Sequence, residues 1–194
     1  QEAAQWIRVG GLVALPTDTL YGLAADPFRA DAVARLLIVK GRPAERALPL
    51  IAADADQIAT RFGPLSPVGE RLAAGFWPGP LTLLIPAPVE LARGVTGGTG
   101  LVGVRVPAHA VARAICRAAD RPITATSANR SGQPPTADPD EVERALGGEV
   151  DLLIDTGPTR GGPPSTIVDV TGTAARLVRA GAVSWEDIQA WLSE

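Results

Sequence analysis

The sequence predicts an α/β fold in a single domain: a twisted mixed sheet with flanking helices and a ligand cleft at the strand ends. Three observations predict it. Short apolar runs alternate with segments of helical periodicity along most of the 194 residues, which is the pattern of interleaved strands and helices. Near the C-terminus several strand-like runs follow one another without a helix, so the sheet is mixed rather than purely parallel. Hydrophobic residues make up 46% of the chain and aromatics only 4%, so a real core forms and is built mainly from Ala, Val, Leu and Ile.

Taken in order, Gln1–Val9 reads as a short helix stopped at Gly10-Gly11. Leu12–Leu15 is an apolar strand, and Pro16-Thr17-Asp18-Thr19 is the polar turn after it. Asp31–Lys40 places Val33, Leu36 and Leu37 at helical spacing and is stopped by Gly41 and Pro43. Leu48–Ala52 is a strand, Asp54 is placed to cap the short helix that follows, and Ser66–Ala74 forms another helix. Leu81–Ile85 is a strand behind the rigid Trp77-Pro78-Gly79-Pro80. Leu101–Val106 and Ile123–Thr126 are strands around the helix Ala108–Ala119, and Pro139–Leu146 is helical. Leu152–Ile154, Thr166–Val170 and Arg176–Arg179 are strands. Ser184 opens the last helix, with Asp187 three residues on, as in a capping box. The Pro/Gly-rich stretches Arg130–Pro139 and Gly157–Pro164 read as loops inside one domain spanning residues 1–194.

Composition narrows the function classes. A net charge of -3 argues against a globally basic nucleic-acid binder but leaves room for a local positive cleft. The single cysteine, Cys116, allows neither an internal disulfide nor a cysteine zinc site. No apolar run reaches the ~18 residues that cross a bilayer, so a reducing cytoplasm with no membrane partner is expected. Of 18 basic residues, 17 are arginine and only Lys40 is lysine. A chain that otherwise uses arginine invites a chemical reason for its one compact ammonium.

Two familiar patterns mislead. Gly98-Thr99-Gly100-Leu101-Val102-Gly103 fits the dinucleotide fingerprint, but a loop precedes it and a strand follows, so no helix N-terminus meets a pyrophosphate. His109 is the only histidine. It follows Val106-Pro107 at the start of a predicted helix, which suits a solvated or capping residue better than a catalytic base, and no nucleophile elbow accompanies it.

The chemistry-bearing residues lie in five segments rich in small polar residues, glycine and selected cations. They are Pro16–Leu23, Lys40-Gly41-Arg42-Pro43, Val104-Arg105-Val106-Pro107, Thr126–Gly132 and Pro164–Asp169. Most sit where a strand or helix gives way to a loop, which is where α/β proteins bind ligands. Each alone has an ordinary reading: Lys40 and Arg42 as a solvated helix end, Thr17, Thr19, Ser127 and Asn129 as turn caps. Arg105, in an apolar strand, is either an edge residue or buried with an anion.

With Trp77–Thr82 and Val95–Gly98 added, the ordered set P-T-[DE]-T-x-Y-G-L, K-x-R-P, W-P-G-P-L-T, V-T-G-G, R-V-P-x-H, T-S-A-N-x-S-G and P-S-T-[IV]-x-D resembles the YrdC-like domain family of threonylcarbamoyl-AMP synthases. The resemblance runs from about Leu12 to Gly181 and implies a YrdC/RibB-like fold in the short single-domain form. It implies formation of L-threonylcarbamoyladenylate and pyrophosphate from L-threonine, bicarbonate and ATP, a nucleotidyl transfer that serves threonylcarbamoyladenosine formation at tRNA position 37. Magnesium would ride mostly on ATP oxygens and water rather than on a protein metal site. A downstream threonylcarbamoyl-transfer complex is the implied partner, with a possible tRNA or double-stranded RNA contact.

By the same match, Lys40, Arg42, Ser127, Asn129 and Arg179 bind ATP, with Lys40 and Arg42 neutralising the leaving pyrophosphate. Thr17, Arg105, Ala125 and Ser165 bind threonine, Arg105 through its carboxylate. The substrate carries the nucleophile, so a protein of this kind needs only to position and to stabilise charge. The sequence departs from the two-domain members after Pro49-Leu50, where Ile51-Ala52-Ala53 stands without their histidine. Alternatives are an RNA-binding module and a paralogue of the fold without synthase activity.

Overall fold

The computed structural model describes residues 1–194. The chain forms α1 (Glu2–Arg8), β1 (Val13–Leu15), β2 (Gly22–Ala24), α2 (Ala30–Lys40), β3 (Leu50–Ile51), α3 (Ala55–Phe62) and α4 (Pro67–Phe76). It continues through β4 (Leu81–Pro86), α5 (Arg93–Thr96), β5 (Leu101–Arg105), α6 (Ala110–Ala119), β6 (Ile123–Thr124) and β7 (Thr126–Ser127). It ends with α7 (Pro139–Leu146), β8 (Leu152–Leu153), β9 (Thr166–Asp169), β10 (Arg176–Arg179) and α8 (Trp185–Ser193).

The mixed pairing is divided between two sheets. A six-stranded sheet runs β10-β9-β4-β5-β3-β6, and a four-stranded sheet runs β7-β2-β1-β8. In the larger sheet β4 pairs parallel with β9 and antiparallel with β5, and β3 pairs parallel with β5. In the smaller, β1 pairs antiparallel with β2 and parallel with β8. The sheets meet at Ala125. The run predicted as one strand, Ile123–Thr126, crosses from one sheet to the other at this residue, whose N–H donates to Pro49 at 2.9 Å.

β1 is buried on both faces, which is why it reads as a continuous apolar run. Leu12 and Ala14 join the main core with Leu36, Leu50, Leu83 and Val104. Val13 and Leu15 face a smaller core with Ile7 of α1 and Ile115 and Cys116 of α6. The predicted caps form: Asp54 accepts from Gln57 N–H at 2.9 Å and Ser184 from Asp187 N–H at 3.0 Å. Gly41, at φ 57°, takes the left-handed position that ends α2. No helix is long and apolar enough to cross a membrane.

Candidate active site

The functional segments converge on one cavity of about 310 Å³ at the strand ends. Thr17 comes from the turn after β1. Arg105 ends β5, Ser127 ends β7, Ser165 precedes β9 and Arg179 ends β10; each lines the cavity together with Arg42 and Ala125. Seven of the nine sequence-predicted residues therefore share one space. A bulge in the β9–β10 ladder between Leu177 and Arg179 re-aims the edge strand at the point where Arg179 turns inward.

The other two predicted residues, Lys40 and Asn129, lie beneath the wall and not in it. Lys40 is 2% exposed. Its ammonium donates to the carbonyls of Ser127 at 2.5 Å and Asn129 at 2.8 Å, and more weakly to Asn129 Oδ1 at 3.4 Å. An ammonium has three protons, and all three are directed at this loop. Burial, and then the nearby Arg42 charge, hold Lys40 down to about 8. Ser131 N–H donates back to the Lys40 carbonyl at 2.7 Å, so the end of α2 and the Thr126–Gly132 segment are stitched in both directions. The Asn129 amide donates to the carbonyls of Arg130 and Gln133 at 3.0 and 2.6 Å, which folds the same loop on itself.

Arg42 anchors two of its donors on its own loop, at the carbonyls of Arg46 (3.2 Å) and Ala47 (2.8 Å), and presents the rest of its fork to the cavity. Arg105 is 8% exposed and pairs with Asp18 at 2.8 Å, with both side chains buried. Asp18 stands behind the lining, so it braces the guanidinium from the rear. Its Oδ2 is buried without a partner, as is Nδ1 of His109. His109 occupies the N-cap position of α6, but its side chain makes no capping bond. Burial lowers its basicity and the Asp18 charge opposes that.

Burial and the neighbouring Arg105 charge hold Arg179 below the usual arginine range. Three guanidiniums thus face a cavity whose lining contains no carboxylate, in a protein of net charge -3. Such a site attracts anions. Hydroxyls complete it. Thr17 Oγ1 donates to Leu20 at 2.7 Å and accepts from Thr19 N–H at 3.2 Å, which fixes the first turn. Tyr21 donates to Gly157 at 2.9 Å and ties the 155–160 loop to the same wall. Cys116 is buried elsewhere, with its thiol pushed above the usual range by burial. The cavity wall is therefore made of guanidiniums and hydroxyls, with no thiol in it.

The family model Sua5_yciO_yrdC, described as "Telomere recombination", matches residues 5–181. The chain belongs to the Sua5/YciO/YrdC family. As a member of it, the chain is 40% identical over 192 residues to a threonylcarbamoyl-AMP synthase of Pyrococcus abyssi, covering 99% of this chain and 56% of that protein. A threonylcarbamoyl-AMP synthase of Halorhodospira halophila is 44% identical over 154 residues, covering 79% of this chain and 81% of that protein. The crystal structure of P. abyssi Sua5 complexed with L-threonine superposes on this Sua5/YciO/YrdC chain with a TM-score of 0.93, over 100% of this chain and 57% of that one, at 40% identity. E. coli YciO superposes at 0.83 and 28% identity, over 94% of this chain and 89% of its own. Against the P. abyssi protein, the chain spans little more than half the relative's length.

Sequence reasoning about this family member left out several parts of the wall. Thr19 and Tyr21 line the cavity, as do Pro49 and Pro135. Thr19 and Tyr21 were within reach of the sequence because they share a motif with Thr17. Thr82, which touches Ser165 from behind, was marked only by its place in the W-P-G-P-L-T segment.

Proposed function

We propose that this chain carries L-threonylcarbamoyladenylate synthase activity, making threonylcarbamoyl-AMP and pyrophosphate from L-threonine, bicarbonate and ATP for modification of tRNA position 37. The observation that carries the reading is the meeting of Arg42, Arg105, Ser127, Ser165 and Arg179, from five separate segments, around one cavity free of carboxylates. The named synthases among the relatives, and the P. abyssi structure with L-threonine, support it.

In this reading bicarbonate loses water as its carbon is taken up by the threonine amine, whose nitrogen gives up a proton to that water, and a carbamate results. The carbamate oxygen attacks the α-phosphorus of ATP, the bond to the β-phosphate breaks, and pyrophosphate leaves with the electron pair. Arg105, braced by Asp18, presents its fork to the threonine carboxylate. Thr17, Ser165 and the backbone at Ala125 border the same end. Arg42 and the Ser127 hydroxyl face the phosphates, and Arg179 adds charge stabilisation beside them. Lys40 acts by holding the Ser127 carbonyl, and Asn129 by folding the loop that follows Ser127. Magnesium enters in this reading as part of the MgATP substrate, held by phosphate oxygens and water.

The test is pyrophosphate release with threonine, bicarbonate and ATP, and with each omitted in turn. Release that requires all three is expected. Release indifferent to threonine would refute the reading. Salt-sensitive tRNA binding with no ATP turnover would favour an RNA-binding role instead.

A further inference from the structure

Ser165 is gripped from three directions, and the grip fixes the direction of its proton. Thr82, on β4 and 2% exposed, places its hydroxyl 2.8 Å from Ser165 Oγ. Arg179 donates to the Ser165 carbonyl at 2.6 Å and to its Oγ at a longer 3.4 Å. Gly181 lies so close that a Cβ there would stand 2.3 Å from the Pro164 carbonyl oxygen and 2.5 Å from the Ser165 carbonyl carbon. Only glycine permits that approach. Ala182 N–H then closes on Pro164 at 2.9 Å.

Thr82 has little freedom to do anything else. Its β-branch leaves few rotamers, and its methyl packs where a Cβ on Gly103 would come within 3.0 Å. β4 pairs with β9 in register Leu81 to Thr166 and Thr82 to Ile167, which sets the hydroxyl beside the residue just before β9. Thr82 Oγ1 has no hydrogen-bond partner other than Ser165. A buried hydroxyl with one acceptor in reach donates to it. The Thr82 proton therefore lies on the line to Ser165. A hydroxyl offers two lone pairs and one proton. Thr82 takes one lone pair of Ser165, and the Arg179 cation, bonded mainly to the Ser165 carbonyl, stands 3.4 Å from the same hydroxyl and disfavours a second positive group there.

We infer that Thr82 is a positioning residue which, with Arg179, makes Ser165 an obligate hydrogen-bond donor to the cavity, so that this end takes a ligand oxygen such as a carboxylate or carbamate and not an ammonium or other N–H donor. The identity of that ligand as L-threonine or its carbamate rests on the proposed function; the proton direction does not.

Neutron diffraction on the deuterated, ligand-free protein reads the direction itself. The Thr82 deuteron is expected on the line to Ser165 Oγ, and a Ser165 deuteron on that line overturns the inference. Kinetics read the consequence. Thr82→Val is expected to raise KM for L-threonine about tenfold with kcat little changed, the scale of one lost hydrogen bond. Thr82→Ser restores it, and Thr82→Val adds nothing on a Ser165→Ala background. Additive effects, or a serine variant no better than valine, overturn it. A wild-type protein with no threonine-dependent pyrophosphate release sinks the synthase reading instead, and the neutron result still decides the proton.

Discussion

Replacing Lys40 by methionine separates two jobs its ammonium could do: cross-linking a loop or touching phosphate. Methionine keeps much of the side-chain bulk and removes the three donors. The carbonyls of Ser127 and Asn129 then lose partners at 2.5 and 2.8 Å, around a side chain only 2% exposed. Two buried carbonyls without partners cost about 1–3 kcal/mol each, and relief of the desolvated charge offsets part of that, leaving a net loss of about 2 kcal/mol. For a chain of 194 residues such a loss lowers Tm by about 4–8 °C. Calorimetry on the ligand-free protein reads this directly, and pyrophosphate release reads the displaced Ser127. Lys40→Arg keeps the charge, but a planar fork cannot aim at carbonyls converging on one point, so it is expected to lose comparable stability and most activity. A ligand-free Tm equal to wild type, with ATP binding abolished, would refute the cross-link and place the ammonium on phosphate.

Three further outcomes are expected. Lys40 titrates near 8 when folded, chiefly because it is buried, against 10.5 ordinarily. The unfolded chain thus holds more protons between those values, so this residue makes stability rise as pH climbs from 8 toward 10.5. Turnover falls over the start of the same range as the ammonium is lost, and a Tm that drops in step with turnover would contradict the assignment. Asp18→Ala leaves the Arg105 guanidinium buried without its counter-charge and is expected to cost about 3–5 kcal/mol in urea unfolding; a loss below about 1 kcal/mol, the range of exposed pairs, would show that the pair is not what holds Arg105. Cys116 is buried, with its thiol raised by burial, so a thiol reagent labels it only in denaturant; rapid labelling of the folded protein would contradict its place in the core.

Motif order revealed which segments meet, because each cluster of Pro, Gly and small polar residues marks a strand end, and strand ends face the cleft. The helices were legible from apolar spacing and caps: α7 matches its predicted span and α2 differs by one residue. β2 was hidden. Its three residues, Gly22–Ala24, sit inside a motif rich in turn formers, and only pairing with β1 and β7 makes them a strand. The division into two sheets was equally invisible, since period-two alternation says which face a residue takes but not which sheet it joins. Lys40 shows the sharpest limit. A cation at a helix end normally reaches solvent, and nothing in K-G-R-P distinguishes an exposed ammonium from one turned under the neighbouring loop.

The parallel pairing of β4 with β9 has a consequence for how the protein is made. Leu81 must wait for Thr166, and Val13 of β1 for Leu152 of β8. At roughly 5–20 residues per second, the ribosome delivers Arg179 about 8–30 s after Thr17. Until those partners arrive, β1 and, once it is made, β4 each keep one edge open, and the cleft lacks Ser165 and Arg179. Such edges invite pairing with other chains. That exposure is set by topology rather than by any weakness in the finished core.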